Sequence, residues 1–236
     1  SHARVFSESI VKRDEGTLVD LTLGGCPFLP NLNVFILKSE HVCNESYQEK
    51  RKLYVANNGN EKVAILSSRL PFYLYGKGFD NNIGGIEKKS PMFSAKNYQD
   101  NLVKREEDFY KSLSESINFL SAHTEKLFII LPTHTNGWDP NKRIRKMSRL
   151  GYSFDSIKQK TQIPLSSVTQ RTKEIDIFIK TKAAKFNNVF VIDPKEIFCD
   201  EACNYLSKTD TPLFTDTDHL SLEANKLILA EIEDLL

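Results

Sequence analysis

No apolar run in this 236-residue chain approaches the length of a membrane span. Leu127 to Leu131 and Val189 to Ile192 are far short of the roughly 20 residues a spanning helix needs, and no signal peptide stands ahead of Ser1, so the chain as written reads as soluble. An excess of one charge is also missing. With 32 Lys and Arg against 31 Asp and Glu, no whole-molecule field draws nucleic acid, and no aromatic-plus-basic motif supplies a local attraction, so nucleic acid is disfavoured as a partner. Cysteine is scarce, and none of the four lies in a C-x-x-C pair. His2, His41, His123, His134 and His219 show no ligand spacing either, so no metal is expected. Internal repeats and low-complexity tracts are absent, which removes solenoid and linker architectures.

What is present fits one sizeable globular domain over residues 1–236, with ordinary apolar and charged fractions and enough chain to bury a core unaided. Thr17 to Leu23 alternates like a strand and runs into a turn at Gly24-Gly25-Cys26-Pro27. Residues 44–57 read as a helix and Lys62 to Leu66 as a buried strand ending at Ser67-Ser68-Arg69. Residues 75–97, rich in Gly, Asn and Lys, form a mobile loop or insertion too long for a simple connector. Leu102, Phe109, Leu113, Ile117 and Leu120 then mark a strong helix that feeds the strand Leu127 to Leu131. Val168, Ile175, Ile179, Ala183 and Phe186 mark another, followed by the strand Asn188 to Asp193. This alternation predicts a mainly parallel sheet between two helix layers, a three-layer α/β/α sandwich.

The cysteines fall into local pairs, Cys26 with Cys43 and Cys199 with Cys203. Four reduced, buried thiols are the alternative to two disulfides. Both pairs lie in loop segments beside turn residues, where packing gives little reason for cysteine, so disulfides and an oxidising, periplasmic or extracellular compartment are favoured.

The chemistry concentrates near the C-terminus, in Phe214-Thr215-Asp216-Thr217-Asp218-His219-Leu220-Ser221. A carboxylate three residues before a histidine, on a turn opening into a helix capped by Ser221, can orient an imidazole and fix its tautomer. Asp218 also neighbours His219, but a residue three back can curl under the ring, so Asp216 is the expected orienter.

This D-x-x-H-L-S block before a last helix resembles the terminal block of SGNH hydrolases and acyltransferases, and the chain is identified as a member of that group. The partner block there is G-D-S-H. The chain begins Ser1-His2, without the Gly-Asp or a preceding strand, and a cleaved affinity tag also leaves Ser-His; the helical stripe Ala3, Phe6 and Ile10 favours Ser1 as the nucleophile. The resemblance implies a flavodoxin-like SGNH fold with Ser1, Asp216 and His219 as catalytic residues. It also implies backbone N–H groups of Ser1 and of Gly24 or Gly25 as the oxyanion hole. A tight turn before Pro27 accounts for either glycine equally well. The usual G-x-N-D block is absent.

Ser67-Ser68-Arg69-Leu70, the P-T-H-T-N-G-W loop from Pro132 to Trp138, the C-x-x-x-C and Asp193-Pro194 are similar to the periplasmic C-terminal SGNH domain fused to acyltransferase-3 membrane proteins. That narrower resemblance implies an O-acyltransferase, in the first place an O-acetyltransferase, acting on a surface glycan such as lipopolysaccharide O-antigen at the periplasmic face of the inner membrane. The partner is the membrane acyltransferase-3 domain of the same polypeptide. It would deliver the acyl group from acetyl-CoA, so no cofactor is expected in this domain. Arg69 is assigned to the acyl group or an acidic substrate, against a surface ion pair as the alternative. Trp138 is assigned to an acceptor-binding wall, against a packing anchor. His134 joins them as a substrate-site residue, ranked below His219 as a base because no carboxylate stands in the D-x-x-H relation to it. Lys142, Arg143, Arg145, Lys146 and Arg149 are a solvated face or an anion-contacting rim. An esterase using water as acceptor and a non-catalytic glycan-binding or docking module are the alternative functions.

Overall fold

The computed structural model describes residues 18–32, 43–59, 62–75, 78–87 and 102–236. In chain order the elements are α1 (Glu45–Asn58), β1 (Val63–Ser67), α2 (Leu70–Tyr75), α3 (Leu102–His123), β2 (Lys126–Ile130) and α4 (Pro140–Arg149). There follow α5 (Phe154–Thr161), β3 (Ile163–Pro164), α6 (Leu165–Ala183), β4 (Val189–Ile192), α7 (Pro194–Phe198), β5 (Ala202–Cys203) and α8 (Leu222–Glu233).

Strands β1, β2 and β4 pair in parallel, in that order, with Ile65 opposite Phe128 and Phe128 opposite Phe190. The side-chain period of two sends each strand's residues to opposite faces. Leu127, Ile129 and Leu131 meet Leu113, Ile117 and Leu120 of α3 and Ile175 and Ile179 of α6 on one side. Phe128 and Ile130 meet Ala224, Ile228, Leu229 and Ile232 of α8 on the other. Both faces of β2 are therefore covered, which is why it reads as an unbroken apolar run and not as an alternation. Each large aliphatic chain sealed in these layers stabilises the fold by roughly 1.5–3 kcal/mol relative to exposure. Parallel strands between helix layers give the α/β architecture expected from the alternation of elements.

Helix positions follow from local chemistry. Phe109, Leu113, Ile117 and Leu120 of α3 recur at steps of four, four and three, and all are buried. Asp139 caps α4 by accepting the Lys142 N–H at 3.0 Å ahead of Pro140, a residue that fits the first helical turn. Ser221 caps α8 by accepting the Ala224 N–H at 3.2 Å, which starts the helix directly after the Asp/His turn.

The strand expected over Thr17 to Leu23 does not form in its described part, residues 18–23. Its backbone is used differently: Leu21 O accepts from Arg51 Nε at 2.8 Å, and Asp20 Oδ1 accepts the Thr22 N–H at 2.8 Å. A lone bridge from Leu23 to Cys26 closes the Gly24-Gly25 turn, where Gly25 has φ +73°. Buried side chains of α1 hold this segment down, since Arg51 also donates to Cys26 O at 3.2 Å and Gln48 to Pro27 O at 2.9 Å. Alternation alone did not distinguish a strand from a loop pinned by a buried guanidinium. The helix expected over Ala3 to Ile10 lies outside the described residues.

Candidate active site

The carboxyl ends of β1 and β2 open onto one edge of the sheet, where connecting loops converge in open α/β folds. Ser68 and Arg69 follow β1, and Pro132 to Asp139 follow β2. Facing them is the turn Thr215 to His219. Its flanks, Phe214 and Leu220, bridge each other and are buried, so the five residues between them close as a loop, with the Thr215 N–H donating to His219 O at 2.8 Å.

Within this turn Asp216 points outward and Asp218 inward. Asp216 Oδ1 accepts the N–H groups of Asp218 at 3.0 Å and His219 at 2.8 Å, while Oδ2 stands 2.7 Å from His219 Nδ1. Burial pushes the Asp216 carboxyl up, but these two N–H donors and the imidazole together hold it below the usual carboxylate value. An ionised acceptor at Nδ1 fixes the ring proton there and leaves the basic lone pair on Nε2. Asp218 Oδ2 lies 3.8 Å from the same ring nitrogen.

Asp218 is instead engaged from below. Its Oδ2 stands 2.8 Å from Arg69 Nη1, and its Oδ1 accepts the Thr217 hydroxyl at 2.7 Å. The other arm of the guanidinium reaches Glu87 at 2.5 Å, and its plane lies 4.7 Å from the Phe72 ring centre. Glu87 in turn accepts the Phe79 N–H at 3.3 Å. Arg69 therefore ties three pieces of chain together: the start of α2, the 78–87 segment and the Asp/His turn. Its guanidinium, expected to meet an acyl or acidic substrate, is taken up by two carboxylates.

The loop after β2 is equally internal. His134 is only 2% exposed, with its ring edge-on to Phe214 at 4.6 Å, so it is a buried wall of the cleft at this edge. Burial, reinforced by nearby Lys195, pushes its pKa down to about 3 despite an opposing contact from the Asn204 backbone, and the ring is neutral. Its neighbours Cys199 and Cys203 are joined in a disulfide and so offer no thiolate to a metal. Arg143 covers the Trp138 ring at 3.8 Å, and a Cβ on Gly85 would stand 2.4 Å from the indole Cε3. The indole is thus a packing anchor against the 78–87 segment, which reduces the face available to an acceptor. A narrow cleft of about 40 Å³ lies beneath, lined by Ser68, Arg69, Thr133, Arg171 and Asp218 among others. That is room for ordered solvent.

Asparagines complete the frame through partners too far along the chain for a local pattern to mark. Asn136, fully buried, donates its N–H to Thr217 O at 2.9 Å and thereby holds the tip of the turn. Asn81 donates to Asn136 O at 2.7 Å and accepts from the N–H groups of Ile83 and Gly85. Residues 78–87 of the expected 75–97 loop are thus a closed, hydrogen-bonded turn; the rest of that loop, apart from Tyr75 at the end of α2, lies outside the described residues. Glu87 was missed for a similar reason, since nothing local marks an acid whose partner is 18 residues away. The pattern Asn136-Gly137, with Gly137 at φ +73°, was the one available signal that this loop turns sharply.

Gly24 and Gly25 stand beside the Cys26–Cys43 disulfide, which packs on Phe72 and Tyr73 of α2. Both expected cysteine pairs are bonded. Ser1 lies outside the described residues.

A family model described as "SGNH domain (fused to AT3 domains)" matches residues 1–234. The chain belongs to this family. No curated protein and no solved structure matches it. Membership assigns the SGNH domain an acyl-related hydrolase or acyltransferase role, and it names an acyltransferase-3 domain as the fusion partner of the family. Among the described residues no helix is long and apolar enough to cross a membrane.

Proposed function

We propose that this SGNH domain is an O-acyltransferase that moves an acyl group, in the first place acetyl, through a serine acyl-enzyme to a hydroxyl of a bacterial surface glycan such as lipopolysaccharide O-antigen. The observation that carries the proposal is the Asp216–His219 pair, 2.7 Å apart on a braced turn at the carboxyl edge of a parallel sheet. Family membership and the two disulfides support it, the latter because they fit the oxidising periplasm.

In this proposal His219 Nε2 takes the Ser1 hydroxyl proton as the oxygen attacks the donor carbonyl. The donor's leaving group departs with that proton, and Asp216 stabilises the intervening imidazolium. N–H groups of Ser1 and of Gly24 or Gly25 meet the oxyanion, each good donor contributing on the order of 3 kcal/mol. A sugar hydroxyl, deprotonated by the same imidazole, then attacks the acyl-enzyme and releases Ser1. The acyl group reaches the site from acetyl-CoA through the membrane acyltransferase-3 domain, on the periplasmic face of the inner membrane.

Incubation with an activated acetyl ester, with and without acceptor glycan, tests the proposal. Acetylated glycan formed at the expense of free acetate is expected. Hydrolysis indifferent to glycan would leave an esterase with water as the acceptor.

A further inference from the structure

Helices α4 and α5 meet at a turn that breaks two habits of a water-facing surface. First, it exposes large apolar side chains together: Leu150 is 65% exposed, Tyr152 44% and Phe154 49%, within five residues. Second, charge is heavily one-sided there. Residues 140–161 hold seven Lys and Arg and a single acid, Asp155, although the whole chain carries a net charge of only +1.

Some of these cations are already engaged. Lys142 pairs with Asp139 at 3.2 Å, Lys158 pairs with Asp210 at 2.7 Å, and Arg143 lies on Trp138. Arg145, Lys146 and Arg149 are exposed and make no ion pair among the described residues. They lie on the last two turns of α4, directly before the apolar tip. On the other side of the tip Lys160 sits 5.8 Å from the Tyr152 ring centre.

A solvated helix face accounts for the cations alone. It gives no reason for three neighbouring apolar side chains to stay about half in water, where Leu150 and Phe154 each forgo on the order of 1 kcal/mol of burial. We propose that the tip Leu150 to Phe154, with Arg145, Lys146, Arg149 and Lys160 around it, is a docking surface for an anionic phospholipid bilayer. Cations around an apolar tip suit the headgroup boundary, where phosphates meet the charges and the apolar side chains enter the acyl layer. A hydrated anionic glycan would answer the charges and leave Leu150 and Phe154 with nothing to enter.

Docking in this way also orients the domain. The opposite end of α4 is fixed to the Asp/His turn, because Asn141 Nδ2 donates to Thr215 O at 2.8 Å. The turn then stands one length of α4, about 15 Å, from the lipid-facing end of the helix. The inference is independent of acyl transfer, since binding is read without any substrate.

The test is sedimentation of the 236-residue chain with vesicles of phosphatidylcholine alone and of phosphatidylcholine containing about one-third phosphatidylglycerol, at low and high salt. Binding to the anionic vesicles alone, weakened by salt, is expected. The triple variant Arg145→Gln, Lys146→Gln, Arg149→Gln should lose on the order of 100-fold in partition coefficient, from about 1 kcal/mol per cation near the surface. The triple variant Leu150→Ser, Tyr152→Ser, Phe154→Ser should lose at least about tenfold with every charge kept. All six positions are exposed, so unchanged circular dichroism is expected and separates lost binding from lost folding. Emission from the indole introduced by Tyr152→Trp should shift to the blue on anionic vesicles. No binding to anionic vesicles, binding indifferent to both triple variants, or capture by dextran sulfate with no blue shift on vesicles would each overturn the proposal.

Discussion

The two carboxylates of one turn, two residues apart, work in different surroundings. Asp216 lies at the rim, its side chain 46% exposed against His219 at 49%; Asp218 lies beneath, 10% exposed against Arg69 at 29%. The rim pair is held by local geometry, since Asp216 caps the N–H groups of its own turn. The inner group is held by distant chain: Arg69 after β1 pairs with it, Glu87 in the 78–87 segment holds the other arm of that guanidinium, and Asn136 after β2 fixes the neighbouring Thr217 carbonyl. Solvent screens an exposed pair, so the rim can lose a charge with little effect on stability. A partly buried cluster that loses one partner strands the others.

Substitution of each acid separates the two layers most sharply. Asp216→Asn should lower the turnover of an activated acetyl ester by up to roughly 10⁴-fold, because an amide does not stabilise the imidazolium, while the melting temperature changes little. Asp218→Asn should do the reverse, with a modest rate loss and destabilisation of about 2 kcal/mol in urea unfolding, from a broken, partly buried ion pair. Equal, mild rate losses for both variants would mean that neither acid orients His219.

Acid titration probes the inner layer next. His134 has a folded pKa of about 3, below the 6.5 of an unhindered imidazole. Between these values the unfolded chain binds a proton that the folded chain refuses. Stability from this group is therefore full above about pH 6.5 and falls as pH drops toward 3, by about 1.4 kcal/mol per unit. His134→Phe keeps an aromatic ring against Phe214 and removes the titration. Melting temperature followed from pH 7 to 4 should fall less steeply for this variant than for the parent; parallel curves would show that other groups govern acid unfolding.

The smallest effect concerns the cluster itself. Arg69→Met should destabilise by about 2 kcal/mol, since Glu87 and Asp218 are left without their shared cation. Adding Glu87→Gln to that variant should recover part of the loss, giving a non-additive double-mutant cycle in chemical denaturation. Strict additivity would show that Arg69 does not couple the 78–87 segment to the Asp/His turn.

These layers differ in how far they were legible beforehand. The rim was readable because its logic is local: Asp216 and His219 are three residues apart, and Ser221 marks the helix start that anchors them. Helices α3 and α6 and strands β2 and β4 were legible for the same reason, since an apolar stripe or run states its own period. The alternation from Thr17 to Leu23 misled because a strand needs a neighbour with unclaimed hydrogen bonds, and Arg51 had claimed the carbonyl of Leu21. Arg69 and Trp138 looked like free recognition groups because their partners, Glu87 and Gly85, lie in a stretch with no regular pattern of its own.

Short-range order was settled by the sequence where a local pattern suffices: the long helices, the buried strands, the Ser221 cap and the spacing that lets Asp216 reach His219 all depend on residues within a few positions of one another. Tertiary structure decided which charged and aromatic side chains remain available at the site. Burial and pairing depend on long-range packing, so Arg69, His134 and Trp138 acquired neighbours that no local pattern specifies, while Arg145, Lys146 and Arg149 kept their charges facing outward.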